Sequence, residues 1–170
     1  MFKKIAAFLL LTVLMSFSLT ADAALKRKEA LAIAQPEVPQ ETVAYQLGVE
    51  AGTDMILARF RNNDTYVNYD IRMDANTGAL ISKDIIGSNY VGSTVVLKTE
   101  EDARKIALEA YPDAQDLLIS TIKDDVNTYY EATFNTPKYI KAVLEISPAT
   151  GAIGKHMLKY RTIAPNNVQK

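Results

Sequence analysis

The chain matches itself at a shift of 73 residues, and this internal repeat restricts its fold more than any other feature. Ala30, Ile33 and Ala34 fall on Ala103, Ile106 and Ala107, Pro39 on Pro112, Tyr66 on Tyr139, and Thr77-Gly78-Ala79 on Thr150-Gly151-Ala152. Between these anchors Ile56, Ala58 and Phe60 align with Tyr130, Ala132 and Phe134 at a shift of 74, so one hairpin has gained or lost a residue. A period this long suits a duplicated unit better than a solenoid.

Each unit opens with a helical pattern. In the second, Thr99 is a good N-cap, and Glu100, Glu101 and Asp102 place negative charge at the positive end of the helix dipole. Ala103, Ile106, Ala107 and Ala110 make an apolar stripe at helical spacing, and Pro112 stops it. The first unit has the stripe without the cap, and its helix is expected to be shorter and to end before Pro36.

The period then changes from 3.6 to 2. Val67, Tyr69, Ile71 and Met73 alternate with Asn68, Asp70 and Arg72, as in a half-buried antiparallel strand, and Ile140, Ala142, Leu144 and Ile146 are expected inward in the second unit. Strands are also predicted over 43–49, 55–61, 79–86, 117–122, 129–134 and 152–160. The segments Asp74 to Gly78 and Ser147 to Gly151 read as turns whose glycine takes positive φ. The fold class expected is α+β: two tandem units of a helix and a four-stranded antiparallel sheet, the helix packed on one sheet face. The predicted divisions are 1–23, 24–86, 87–96 as a connector, and 97–170.

Residues 1–23 carry the three parts of a cleavable signal peptide: Lys3 and Lys4, an apolar run from Ile5 to Leu19, and Ala21-Asp22-Ala23 at the cleavage positions. The run is shorter than the ~20 apolar residues a membrane span needs. Export to a periplasmic or extracellular location follows, with no membrane span after cleavage. Without cysteine, a disulfide framework and a cysteine-linked lipid are both excluded. Losing Lys3, Lys4 and Asp22 leaves 17 basic and 19 acidic side chains, a weak acidic balance that gives no reason to bind nucleic acid.

Thr-Glu-Glu-Asp-Ala-Arg-Lys-Ile-Ala from Thr99 to Ala107, the helix-ending Tyr111-Pro112, and the strand running into a Thr-Gly turn from Tyr69 to Gly78 resemble the PepSY domains of peptidase propeptides and bacterial envelope proteins. The resemblance extends over nearly the whole chain after residue 23 as two tandem copies. It departs from the family pattern at Ala79 and Ala152, where an acidic residue is common, and at Gln40 and Asp113, where glycine is common. It implies a helix on an antiparallel sheet and a role in binding or restraining peptidases outside the cytoplasm. No catalytic or metal residue belongs to that pattern.

The residues themselves offer little chemistry. His156 is the single histidine and has no nucleophile elbow or acid near it in sequence. Asp74-x-Asn76-x-Gly78 lacks the later ligands of a calcium loop, having Ala79 and Ile85 where glycine and glutamate are required. Asp124-Asp125 reads as a solvated turn. No catalytic residue, metal or cofactor is expected.

Nine tyrosines without a tryptophan are the surplus. Tyr66, Tyr129 and Tyr139, near strand ends or on outward faces, are the candidate partner-binding residues, since tyrosine offers stiff amphipathic contact area. The expected function is a non-enzymatic binding or regulatory module of the cell envelope, contacting a protein partner such as a peptidase through an exposed sheet face. The alternative is a small-ligand or cell-wall binder using a cleft between the units, lined in part by residues 87–96. An enzyme ranks third.

Overall fold

The computed structural model describes residues 25–88, 90–124 and 127–161, and the expected signal peptide lies outside them. Helix α1 (Arg27–Ala34) runs into a 3-10 turn (Gln35–Glu37) and then strands β1 (Thr42–Val49), β2 (Met55–Asn62), β3 (Asn68–Asp74) and β4 (Leu80–Ile86). The second half repeats the order with α2 (Glu100–Ala110), β5 (Gln115–Lys123), β6 (Thr128–Asn135), β7 (Tyr139–Ile146) and β8 (Ile153–Tyr160).

The helices differ as their caps do. Thr99 Oγ1 accepts from the Asp102 N–H at 3.2 Å while Asp102 Oδ2 accepts from the Thr99 N–H at 2.9 Å, a closed capping box. At α1 the Lys26 N–H donates to Glu29 Oε2 at 3.1 Å, but no Lys26 side-chain atom returns the bond.

All eight strands join in one antiparallel sheet of order β1-β2-β3-β4-β8-β7-β6-β5. The halves meet where β4 pairs with β8, from Ser82 opposite Lys159 to Ile86 opposite Lys155. The register places Phe60, Tyr69, Ile85, His156, Leu144 and Ala132 in one transverse row. This row lies on the face that both helices cover. Under α1, Ala30 and Ala34 pack with Ile56, Ala58, Phe60, Ile71 and Met73; under α2, Ala103 and Ala107 pack with Ala132, Phe134, Leu144 and Ile146. Leu80 and Ile85 touch both clusters, so the two cores meet at β4.

Small helix residues let each helix sit close to the sheet, and the turn glycines continue that approach. Gly78 and Gly151 both have positive φ, 72° and 81°, and both lie directly beneath a helix isoleucine, Ile33 and Ile106.

Three expectations about facing need correction. Ile140 is 53% exposed, and Tyr139, expected outward, is 7% exposed. The register of β7 against β8 slips between Tyr139 and Lys141, and this bulge turns Tyr139 inward against Tyr160. Ala110, expected in the buried stripe, is exposed in the last turn of α2.

Candidate functional site

The face opposite the helices is open, and its composition changes across the sheet. One transverse row reads Gln46, Arg59, Asp70, Asp84, Met157, Val143, Thr133, Leu118 from edge to edge. On β1–β4 Arg59, Asp70, Arg72 and Asp84 pair with one another or with near neighbours. Arg59 pairs with Asp70 at 3.2 Å and donates to Gln46 at 3.0 Å, while Arg72 bridges Glu50 at 3.2 Å and Asp84 at 2.8 Å. Burial lowers the Arg72 pKa, but its bonds to Asp84 and Glu50 outweigh this and hold the guanidinium above its ordinary value. On β5–β8 the same row is uncharged, ending at Leu118, which is 61% exposed.

The three tyrosines singled out from sequence do not converge. Tyr129 is half-buried on the open face opposite Ile122, and burial with the charges of Glu145, Glu131 and Asp124 pushes its phenol up. Tyr66 is 57% exposed in the β2–β3 connection, with Arg61 stacked 5.2 Å over its ring. Tyr139 is on the helix face, at the opposite end of the sheet from both.

A polar seam lies between the two cores on the helix face. Glu37, just after α1, accepts from Tyr160 Oη at 2.6 Å and from Lys138 Nζ at 2.9 Å, and its backbone carbonyl accepts from Lys83 Nζ. Lys138 also stands over the Tyr139 and Tyr160 rings at 5.6 and 5.5 Å. Burial raises the Glu37 pKa, but the bonds from Tyr160 and Lys138 and the charges of Lys138 and Lys83 prevail and hold it below 4.5. Burial lowers Lys83. On β8, the His156 Nδ1 and the Tyr111 hydroxyl share a hydrogen bond of 2.9 Å. Burial, with the Lys83 charge adding to it, takes the imidazole down to about 4, so His156 is neutral near pH 7. A cavity of about 410 Å³ opens at this seam between Ile33, Leu80, Pro137 and Tyr160.

The seam was not legible in the sequence. Glu37 and Tyr160 are far apart in the chain, and no spacing rule links β4 to β8. The one available signal was alternation within β8, where Leu158 inward implies His156 inward.

A second cavity of about 310 Å³ adjoins the segment between β4 and α2. Thr65, Ser88, Tyr90, Ser147 and Thr150 line it with the backbone of Gly87 and Gly154, and no charged side chain takes part. The Gly87 N–H donates to the Gly154 carbonyl at 2.8 Å and closes its floor. Among the described residues, no group of three or more His, Asp or Glu side chains could hold a metal ion, and no helix is long and apolar enough to cross a membrane.

A capped helix lying over an antiparallel sheet, with a glycine turn beneath it, defines an α+β module. Residues 98–156 match the family model described as "Peptidase propeptide and YPEB domain". No curated protein matches the sequence. Among solved structures, the YpeB C-terminal domain of Bacillus megaterium is similar over 84% of this chain and 69% of that chain, with 11% identity and a TM-score of 0.45. A protein of Clostridium difficile 630 described as a lipoprotein is similar over 80% of this chain and 94% of that chain, with 16% identity and a TM-score of 0.34.

Proposed function

We propose that the chain is an exported, non-enzymatic regulatory module of the bacterial envelope that binds a peptidase through the open sheet face. On this reading residues 1–23 are a cleaved signal, 24–86 a first PepSY-like unit, 87–96 a connector and 97–170 the second unit. The match of residues 98–156 to a family associated with peptidase propeptides supports the partner class. The shared contact of a turn glycine with a helix isoleucine supports the duplication. The observation that carries the surface is the change across the open face. In the first half of the row and beside it Arg59 is occupied by Asp70 and Arg72 by Asp84, whereas the row Met157, Val143, Thr133, Leu118 is uncharged and ends on an exposed leucine. Apolar area bordered by polar groups is the anatomy of a docking patch. Tyr129 and Tyr66, at one end of the sheet, would lie at its margin, and Tyr139 would act by supporting the strands beneath.

The test is affinity capture of the chain, without its signal, from its own host, with cross-linking and mass spectrometry. An envelope peptidase cross-linked to β5–β8 is expected, and Leu118→Glu should abolish its capture. Capture of no peptidase, or equal capture by the variant, sinks the reading.

A second reading rests on the connector cavity. Its hydroxyls and lack of charge suit a neutral hydroxylated ligand such as a cell-wall saccharide. Thermal stabilisation by wall saccharides, lost in Thr150→Val, would favour it over the peptidase. A saccharide screen with no shift in melting temperature would remove it.

A further inference from the structure

The two edges of the sheet are not equally protected. At β5, helix α2 packs over both β5 and β6, Arg104 donates to the Leu117 carbonyl at 3.1 Å, and Thr121 Oγ1 donates to Glu100. At the other edge, the shorter α1 packs over β2 instead. Strand β1 is therefore left largely uncovered, with Val43, Tyr45 and Val49 47–55% exposed. Its sequence, Thr-Val-Ala-Tyr-Gln-Leu-Gly-Val, contains no charge and no proline, the two usual guards of an exposed edge. A bulge at Tyr45 is the guard that remains, and it leaves Gln46 to Val49 as a regular ladder.

The hydrogen-bond phase of β1 follows from its hairpin. The Glu50 N–H donates to the Met55 carbonyl at 2.9 Å, so alternation along an antiparallel pair turns the N–H and C=O of Leu47 and Val49 away from β2. No strand pairs with β1 on that side among the described residues.

We infer that β1 is a strand-addition site that accepts an extended peptide, uncharged along its length and carrying a lysine or arginine at its C-terminal end. The end charge follows from what brackets the strand. Glu41 precedes β1, is exposed, and makes no ion pair among the described residues; Glu50 follows β1 and is held by Arg72. An antiparallel guest, continuing the pairing of the rest of the sheet, ends beside Glu41. A second copy of β1 fits less well, because symmetric pairing with Thr42 opposite Val49 sets Glu41 against Glu50. Backbone bonds would supply the affinity, and the exposed Val43, Tyr45 and Val49 the side-chain selection.

This site is separate from the open face, and the test keeps the two apart. Octapeptides rich in Val, Thr and Tyr, ending in lysine or in glutamate, are presented to the immobilised chain from Ala24 onward. The lysine set should be retained about tenfold over the glutamate set, and amide exchange at Leu47 and Val49 should slow in the complex. Val49→Pro removes one outward N–H and no ladder bond, and should lower retention about tenfold. Glu41→Lys should reverse the end preference, and Leu118→Glu should change nothing. Absence of retention, or equal retention by Val49→Pro, overturns the inference. So does a dimer in sedimentation that Val49→Pro dissociates, which would assign the edge to a second copy.

Discussion

The Tyr160 hydroxyl donates to Glu37 Oε2 at 2.6 Å across 123 residues of sequence, tying the last strand to the turn after the first helix. Together with Lys138, it adds a side-chain clasp to the backbone ladder between β4 and β8.

Tyr160→Phe should lower stability by about 1.5–3 kcal/mol, the usual worth of a hydrogen bond to a charged group. In a double-mutant cycle with Lys138→Met, the two losses should not add, because both act on one carboxylate. Glu37 has a depressed pKa in the folded state. Its stabilisation is therefore present above the ordinary 4.5 and fades as pH falls through the folded value. Urea unfolding of the four proteins at pH 7 and pH 4 measures both effects, and additive losses would deny the clasp.

His156 gives a second pH dependence of the same sign from a different cause. Its folded pKa of about 4 lies below the ordinary 6.5, so between those values the unfolded chain binds the extra proton. Stability should rise with pH across that window and be complete above it. The expected gain is about 2 kcal/mol, less than the full shift implies because the imidazole keeps some contact with water. His156→Leu should flatten this part of the profile. As the single histidine, it also gives one imidazole signal in a proton titration. Lys83→Met should move that titration upward by less than a unit, since burial is the larger cause and the lysine charge the smaller. A histidine titrating near 6.5 in the native chain would contradict the buried seam.

The inward facing was readable because the positions concerned, small helix residues, alternating strand residues and turn glycines, are those that local geometry dictates. Ile56, Ala58 and Phe60 and their counterparts Tyr130, Ala132 and Phe134 all lie inward as their alternation implies. What failed was local as well. A single bulge between Tyr139 and Lys141 exchanges the facing of Tyr139 and Ile140, and nothing in the alternation announces it. The joining of the halves through β4 and β8, and with it the seam of Lys83, Glu37 and His156, depends on which edges meet. That is a tertiary choice with no signature in periodicity, so the sequence pointed to surface tyrosines and passed over the seam.

The turn glycines allow conformation to be separated from contact. A Cβ on Gly151 would stand 2.8 Å from Ile106 Cδ1, and one on Gly78 2.6 Å from Ile33 Cδ1. Gly52 has a similar φ of 75° with nothing within 4 Å. Gly52→Ala should cost about 1–2 kcal/mol for the left-handed backbone alone. Gly78→Ala and Gly151→Ala should cost more, and pairing them with Ile33→Val and Ile106→Val should recover only the excess. Equal losses at the three sites in thermal or urea unfolding would show that the helices do not press on the turns.

The unequal caps predict unequal responses to substitution. Thr99→Ala opens the α2 box, removes the acceptor for the Asp102 N–H, and should cost about 1 kcal/mol. The low pKa of Asp102 arises first from the Thr99 backbone N–H and then from its hydroxyl. The substitution should therefore bring that pKa partly back toward 3.8 by the second route alone. At α1 the opposite change should stabilise. Lys26 already has the extended backbone of an N-cap and donates to Glu29, so Lys26→Ser supplies the missing half of the box. It also removes a positive charge from the positive end of the helix dipole. A gain of about 0.5–1 kcal/mol is expected, measured by urea unfolding beside a Lys26→Ala control. If serine gives no more than alanine, the box does not close at α1, and the shortness of that helix has another origin.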